Sequence, residues 1–159
     1  MIDQHIEVEL ATYSDAIEIA ILSRDTIEAG LGWGWTEDKV KGAIRNKATN
    51  VVVARIGDEL AGFGIMRYGS DKANLDLLAV KLEYRRCGYG ASLVRWLEDV
   101  AATAGVFNVY VQARENNETA IKFYESLGYV VLEKITKFYR NKESGVTMLR
   151  HIGGAKQTT

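Results

Sequence analysis

Apolar and polar positions alternate from the first residues onward. Between His5 and Leu10 the side chains of Ile6, Val8 and Leu10 fall on one face, the two-residue period of a short, half-buried strand. The period then lengthens. Asp15 followed by Glu18 reads as a capping-box-like helix start, and Ile17, Ala20, Ile21 and Leu22 supply an apolar face up to a stop at Gly30. Thr36 caps a second helix through about Lys47, with Val40, Ala43 and Ile44 inward. VVVARI, a Gly57-Asp58 turn and ELAGFGIMRY then predict a β-hairpin.

Asn74 to Val80 predicts an apolar strand, Tyr89 to Ala104 a helix with Leu93, Trp96, Leu97 and Val100 on one face, and Val106 to Ala113 another strand. Asn117 to Leu127 predicts a helix ended by Gly128, and strands follow over Tyr129 to Tyr139 and Val146 to Ile152, around an NKESG turn. The order β-α-α-β-β-β-α-β-α-β-β gives a mixed α/β fold. Its central sheet is mostly antiparallel and carries one parallel, right-handed βαβ unit built from 74–80, 89–104 and 106–113. Ligands in such sheets bind beyond the carboxyl ends of the strands.

Composition narrows the classes. A length of 159 residues suits one domain over 1–152, with 153–159 as a polar tail. Twenty Lys and Arg against 21 Asp and Glu leave no basic excess for nucleic acid, and no apolar run is long enough for a membrane span. The first residues look like neither a signal nor a transit segment, and the single Cys87 cannot form an internal disulfide; both fit a cytoplasmic protein. His5, His151 and Cys87 lie far apart in sequence, so no metal is expected.

Candidate chemistry starts at RRCGYG, residues 85–90, directly before a predicted helix. Glycines let backbone N–H groups converge at the positive end of the helix dipole, and Arg85 and Arg86 add charge suited to phosphate oxygens. A dinucleotide fingerprint would need glycine where Leu93 stands, and a Walker loop would need Gly-Lys-Ser/Thr, which does not occur. A glycine turn with no ligand is the other reading of the loop alone.

The next segment supplies context. An apolar strand ending LAV, then Arg85-x-x-Gly88-x-Gly90, then Asn117-x-x-Ala120-x-x-Phe123-Tyr124-x-x-x-Gly128-Tyr129, resembles the GNAT superfamily of acetyl-CoA-dependent N-acetyltransferases. The resemblance implies the GNAT fold and acetyl-CoA as acyl donor. By position, Arg85, Arg86, Gly88, Tyr89 and Gly90 would meet the pyrophosphate of coenzyme A. The backbone at Leu78, Ala79 and Val80 would pair with the pantetheine arm and polarise the thioester carbonyl. Asn117 would lie beside that arm, or simply cap its helix. Tyr124 matches the tyrosine that protonates the departing thiolate, with Phe123 as its core neighbour.

The resemblance also implies a glutamate base, but the corresponding places hold Asn74 and Gln112, which become substrate-binding candidates. Asp76 is the nearest carboxylate and the candidate base, with Glu83 second. Asp76 as partner of a polar group on a neighbouring strand, Glu83 as a solvated loop charge and a water chain to bulk stand as alternatives. Cys87 lies within the pyrophosphate loop, so direct attack in a ternary complex is preferred over an acetyl-cysteine.

GLGWGWT, 30–36, joins the first two helices where the resemblance places the acceptor. Trp35 and Val40 are spaced as a hydrophobic staple around Thr36, whereas Trp33 is the candidate acceptor wall; both rings packed in the core is the alternative. The expected acceptor is a primary amine of a small molecule or peptide. A protein N-terminus or lysine, or a non-catalytic acyl-CoA sensor, are the competing readings. The resemblance also suggests a homodimer through the last strands.

Overall fold

The computed structural model describes residues 6–28, 34–135 and 144–153. Among these residues seven strands form one sheet in the order β1-β2-β3-β4-β5-β7-β6: β1 Glu7–Leu10, β2 Thr49–Ile56, β3 Glu59–Tyr68, β4 Ala73–Val80, β5 Asn108–Arg114, β6 Val130–Ile135 and β7 Gly145–His151. Of the described pairs, β4 and β5 run parallel, as the βαβ pattern predicts, and the others are antiparallel. Four helices among the described residues flank the sheet: α1 Ala16–Thr26, α2 Glu37–Arg45, α3 Tyr89–Thr103 and α4 Glu118–Ser126.

Two apolar layers result. On one face, α1 and α2 bury Ile19, Ala20 and Val40 against Val51, Val53, Phe63, Ile65, Leu77 and Ala79. On the other, α3 and α4 bury Leu93, Val94, Leu97 and Tyr124 against Val52, Met66, Leu75, Val109, Val111 and Met148. The strand β4 changes allegiance part-way along. Ala73 and Leu75 belong to the α3 side, whereas Leu77 and Ala79 belong to the α1 side, with Leu78 and Val80 now turned towards α3. A bulge causes the switch: Leu77 stands opposite Ile65 and Leu75 opposite Met66, leaving Asp76 as the extra residue.

Several local expectations change. The capping box is one turn earlier than the sequence suggests. Thr12 and Asp15 form it around the 3-10 turn Tyr13–Asp15, with the Thr12 N–H donating to Asp15 at 2.9 Å. Asp15 also pairs with Arg55 of β2, which ties the turn before α1 to the sheet. Burial opposes the charge on Asp15, but the Thr12 N–H and the Arg55 guanidinium outweigh it and hold its pKa below the usual carboxylate value. The buried residues of α1 are Ala16, Ile19, Ala20, Leu22 and Ser23, so Ala20 and Leu22 face the core as expected while Ile17 and Ile21 are exposed; α1 ends at Thr26 rather than Gly30. Leu10 is exposed, while Ile6 and Val8 pack on the α3 layer.

Candidate active site

A gap opens in the middle of the sheet. Parallel pairing of β4 with β5 covers Ala73↔Val109, Asn74↔Tyr110 and Leu75↔Val111, and among the described residues it goes no further. Beyond the Asp76 bulge, Leu77 to Val80 keep their register with β3 from Ile65 to Gly62. Gln112 to Arg114 keep only the pairing that all of β5 makes with β7 on its other edge, with Thr147 to Gly145. The free edge of β4 at Leu78, Ala79 and Val80 therefore faces a wedge with room for an extended chain, whose backbone groups it can pair.

At the foot of the wedge lies the glycine loop. Gly88 is the N-cap of α3 with φ 90°, a left-handed conformation suited to glycine, and it provides no capping side chain. Arg86 is also left-handed at φ 64°, so the chain turns sharply twice within three residues. No acidic residue occupies the first turn of α3, whose opening N–H groups keep their positive end for an anion. Arg86 is exposed, and Arg85, also exposed, donates from Nε to the Val80 carbonyl at 3.1 Å, joining loop to strand.

The side chain of Tyr89 is not part of this surface. It is buried in the α3 layer, edge-on to Tyr84 at 5.9 Å, so only its backbone can meet a ligand. Tyr84 hydrogen-bonds Glu59 at 2.7 Å, and that bond raises its phenol pKa to about 12. Cys87 is exposed, with Sγ 3.5 Å from the Arg85 carbonyl in the same loop.

Gly90 is the point where the three predicted donor-site segments meet. A Cβ there would lie 3.0 Å from Cζ of Phe123 and 3.8 Å from Cγ2 of Val80. Close approach, more than turning, explains this glycine. It lets Phe123 of α4 rest on the first turn of α3, with Phe123 only half-buried. Tyr124 is the deeper of the two at 7% exposed. Asn117 caps α4, its Oδ1 accepting from Ala120 N at 3.1 Å.

The sheet face expected to meet the acceptor is built differently. Asn74, Tyr110 and Gln112 lie on the sheet face away from α3, Asn74 and Tyr110 being direct neighbours across the parallel pair. Asp76 is there too, but committed. Arg67 of β3 grips it with both arms, Nε to Oδ2 at 2.6 Å and Nη2 to Oδ1 at 3.0 Å. The bond from Asp76 raises the pKa of Arg67 further, so the guanidinium stays charged. The expected base is thus a fork-paired partner of the neighbouring strand, leaving neither oxygen clear of a donor. Glu83 is an exposed loop charge.

Two contacts that the sequence did not announce frame this side. Arg114, at the end of β5, donates to the Ile27 carbonyl at 2.5 Å and ties the C-terminal end of α1 to β5. Glu28, only 8% exposed, accepts from Ser23 Oγ at 2.8 Å, from Gly34 N at 2.5 Å and from Trp35 N at 3.1 Å. Glu28 offered no pattern beyond a charge near a helix end. Thr36 caps α2, and Trp35 packs against the layer that contains Val40, as the staple requires. Lys39 lies over the Trp35 ring at 4.4 Å. Trp33, the candidate acceptor wall, lies outside the described residues.

Comparison with known proteins gives the fold and the family. The ribosomal protein bS18-alanine N-acetyltransferase of Salmonella typhimurium is 38% identical over 72 residues, covering 45% of this chain and 49% of that protein. The chain thus matches about half the length of that relative. The crystal structure of the ribosomal-protein-S18-alanine N-acetyltransferase from Escherichia coli shares the fold with a TM-score of 0.82 at 22% identity, over 98% of this chain and 99% of that one. The PaiA N-acetyltransferase from Thermoplasma acidophilum, solved in complex with coenzyme A, gives 0.78 at 21% identity, over 93% and 99%. Residues 18–129, the stretch holding the wedge, the glycine loop and Tyr124, match the acetyltransferase (GNAT) family, and the chain belongs to it.

Proposed function

We propose that this chain is an N-acetyltransferase that moves an acetyl group from acetyl-CoA to a primary amine of a small molecule or peptide, by direct attack in a ternary complex. The observation that carries this reading is the one-sided edge of β4 at Leu78–Val80, opening directly above the uncapped N-terminus of α3. Residues present there suit the donor. Arg86, the Gly88–Gly90 backbone and the remaining nitrogens of Arg85 meet the pyrophosphate, and the β4 edge pairs with the pantetheine arm.

Acetyl-CoA supplies an activated acetyl thioester. A backbone N–H of the Leu78–Val80 edge polarises its carbonyl. As the amine nitrogen bonds to the carbonyl carbon and the C–S bond breaks, the Tyr124 phenol gives its proton to the departing sulfur. The acceptor nitrogen sheds its surplus proton to water, because Asp76 is held by Arg67 on both oxygens, and water returns a proton to the Tyr124 phenolate. Asn74, Tyr110 and Gln112 line the acceptor side, and Asp76 keeps Arg67 in place beside them.

The test is thiol release from acetyl-CoA with amino acids, polyamines, aminoglycosides and short peptides, the products confirmed by mass spectrometry. For an accepted amine, Tyr124→Phe lowers kcat by about 100-fold, the lower range for a lost general acid, with little change in KM for acetyl-CoA. An unchanged kcat across pH removes Tyr124 from the role. The committed state of Asp76 also favours a second reading, an acyl-CoA-binding module without catalysis. Tight acetyl-CoA binding with no amine-dependent thiol release over the whole panel would establish that reading instead.

A further inference from the structure

One carboxylate inside the protein has no part in the chemistry above. Glu98 lies on the α3 face that also buries Leu93, Val94, Leu97 and Ala101, and it is only 5% exposed. A buried carboxylate on an apolar helix face is costly unless charge and hydrogen bonds compensate. Here both are supplied from the far end of the chain. Arg150 of β7 donates to Oε1 at 2.6 Å, and the hydroxyl of Tyr129 donates to Oε2 at 2.8 Å. Tyr129 is itself 1% exposed.

Tyr129 in turn holds Tyr124 at two points. The rings meet edge to face, with centroids 5.7 Å apart and planes at 67°. The backbone N–H of Tyr129 donates to the Tyr124 carbonyl at 3.0 Å, closing the last turn of α4 together with Leu127 N–H at 3.0 Å. On the other side, Phe123 lies edge-on to Tyr124 at 5.2 Å. Burial first, then the charge and hydrogen bond of Glu98, push the Tyr129 phenol far above its ordinary pKa, so it keeps its proton at any working pH. Tyr129 is thereby a fixed strut, not a second acid.

We propose that Glu98, Tyr129 and Arg150 are positioning residues for the leaving-group proton transfer: the Glu98–Tyr129 bond fixes the plane against which the Tyr124 ring rests. This rests on the donor role of Tyr124 given above. A proton donor loses rate steeply with small displacements, so a ring that tilts by a fraction of an ångström loses turnover before it loses binding. A pair serving only the core would lower stability and leave turnover per folded molecule alone.

A double-mutant cycle on the full chain separates the two. Thiol release is measured for the wild type, Tyr124→Phe, Tyr129→Phe and the double variant, with acetyl-CoA KM and thermal unfolding for each. Tyr129→Phe keeps the ring and removes the strut, and it lowers kcat about 10-fold with acetyl-CoA KM unchanged. In the Tyr124→Phe background the same change lowers kcat less than about 2-fold, because the group it positions is gone. An equal fold-loss in both backgrounds, or wild-type kcat in Tyr129→Phe, overturns the inference while the Tyr124 role stands. Wild-type kcat in Tyr124→Phe removes both. Should Tyr129→Phe fail to fold, Glu98→Leu, which keeps the length and removes both acceptor oxygens, carries the same cycle with the same criteria.

Discussion

Where Val80, Gly90 and Phe123 meet, the chain presents backbone: a strand edge, a helix start and a glycine that lets two elements touch. Where Arg67, Asp76, Glu28 and Arg114 stand, it presents side chains already bound to one another or to main chain. In the proposed function the first region meets coenzyme A mainly through main-chain groups held by regular structure, joined by Arg85 and Arg86, and the second meets the acceptor amine through side chains that other residues already hold.

The sharpest way to break the comparison is to disturb the donor edge from behind, without substituting any residue that binds. Gly62 of β3 lies behind the free edge of β4. A Cβ there would lie 2.7 Å from the Ala79 carbonyl oxygen and 3.2 Å from Cα of Val80, and backbone cannot step aside as a side chain can. Gly62→Ala is expected to destabilise by about 2–3 kcal/mol, as overpacking does, and to weaken coenzyme A binding at least about 10-fold. Denaturant unfolding and calorimetric titration with coenzyme A check both. Wild-type affinity in a destabilised variant would mean that the donor edge tolerates movement and that the backbone account is wrong.

On the acceptor side the expected effect is smaller and differently distributed. In Glu28→Gln one carboxylate oxygen becomes an NH2 group that either donates to Ser23 Oγ, whose own hydroxyl proton then loses its acceptor, or faces the N–H groups of Gly34 and Trp35. Leaving such buried groups unpaired costs about 1–3 kcal/mol. The variant should raise acceptor KM about 5-fold, the free energy of one modest hydrogen bond, and leave acetyl-CoA KM unchanged. If acetyl-CoA KM rises in parallel, the α1–α2 connection serves both substrates and the division between sides fails.

The same division explains what was legible in the sequence. The donor side leaves a local signature, because a glycine turn and the helix it opens lie within six residues, 85–90, and a helix face repeats on a fixed spacing. So Gly88, Gly90, Asn117 and Tyr124 could be named as candidates from the motif that carries the resemblance. The acceptor side does not, because Arg114 and Ile27 are 87 residues apart, and Arg67 meets Asp76 only through strand pairing. The bulge at Asp76 was invisible too, since Asn74 to Val80 contains no glycine to mark it. Glu98 was hidden for the opposite reason. It sits beside apolar positions and looks like a solvent-facing charge until Tyr129 and Arg150 are brought to it.

Asn117 offers the finest test, because it belongs to both descriptions at once. Its Oδ1 is spent on Ala120 N, which is the capping role and concerns only α4. Its Nδ2 is a donor that the cap does not use, and the proposed function directs it to the coenzyme A arm. Asn117→Ser keeps a capping oxygen and loses the amide; Asn117→Ala loses both. The alanine variant should lose about 1 kcal/mol of stability, lowering Tm by about 2–4 °C for a domain of this size, while serine stays near wild type. Acetyl-CoA KM should rise about 3-fold in both, the loss of a single exposed hydrogen bond. A KM that is unchanged in serine and raised in alanine would show that Asn117 acts only by holding α4, and through it Tyr124, in place. Its contribution to the donor side would then be made by side chain on backbone, within one helix turn, and not by contact with the ligand.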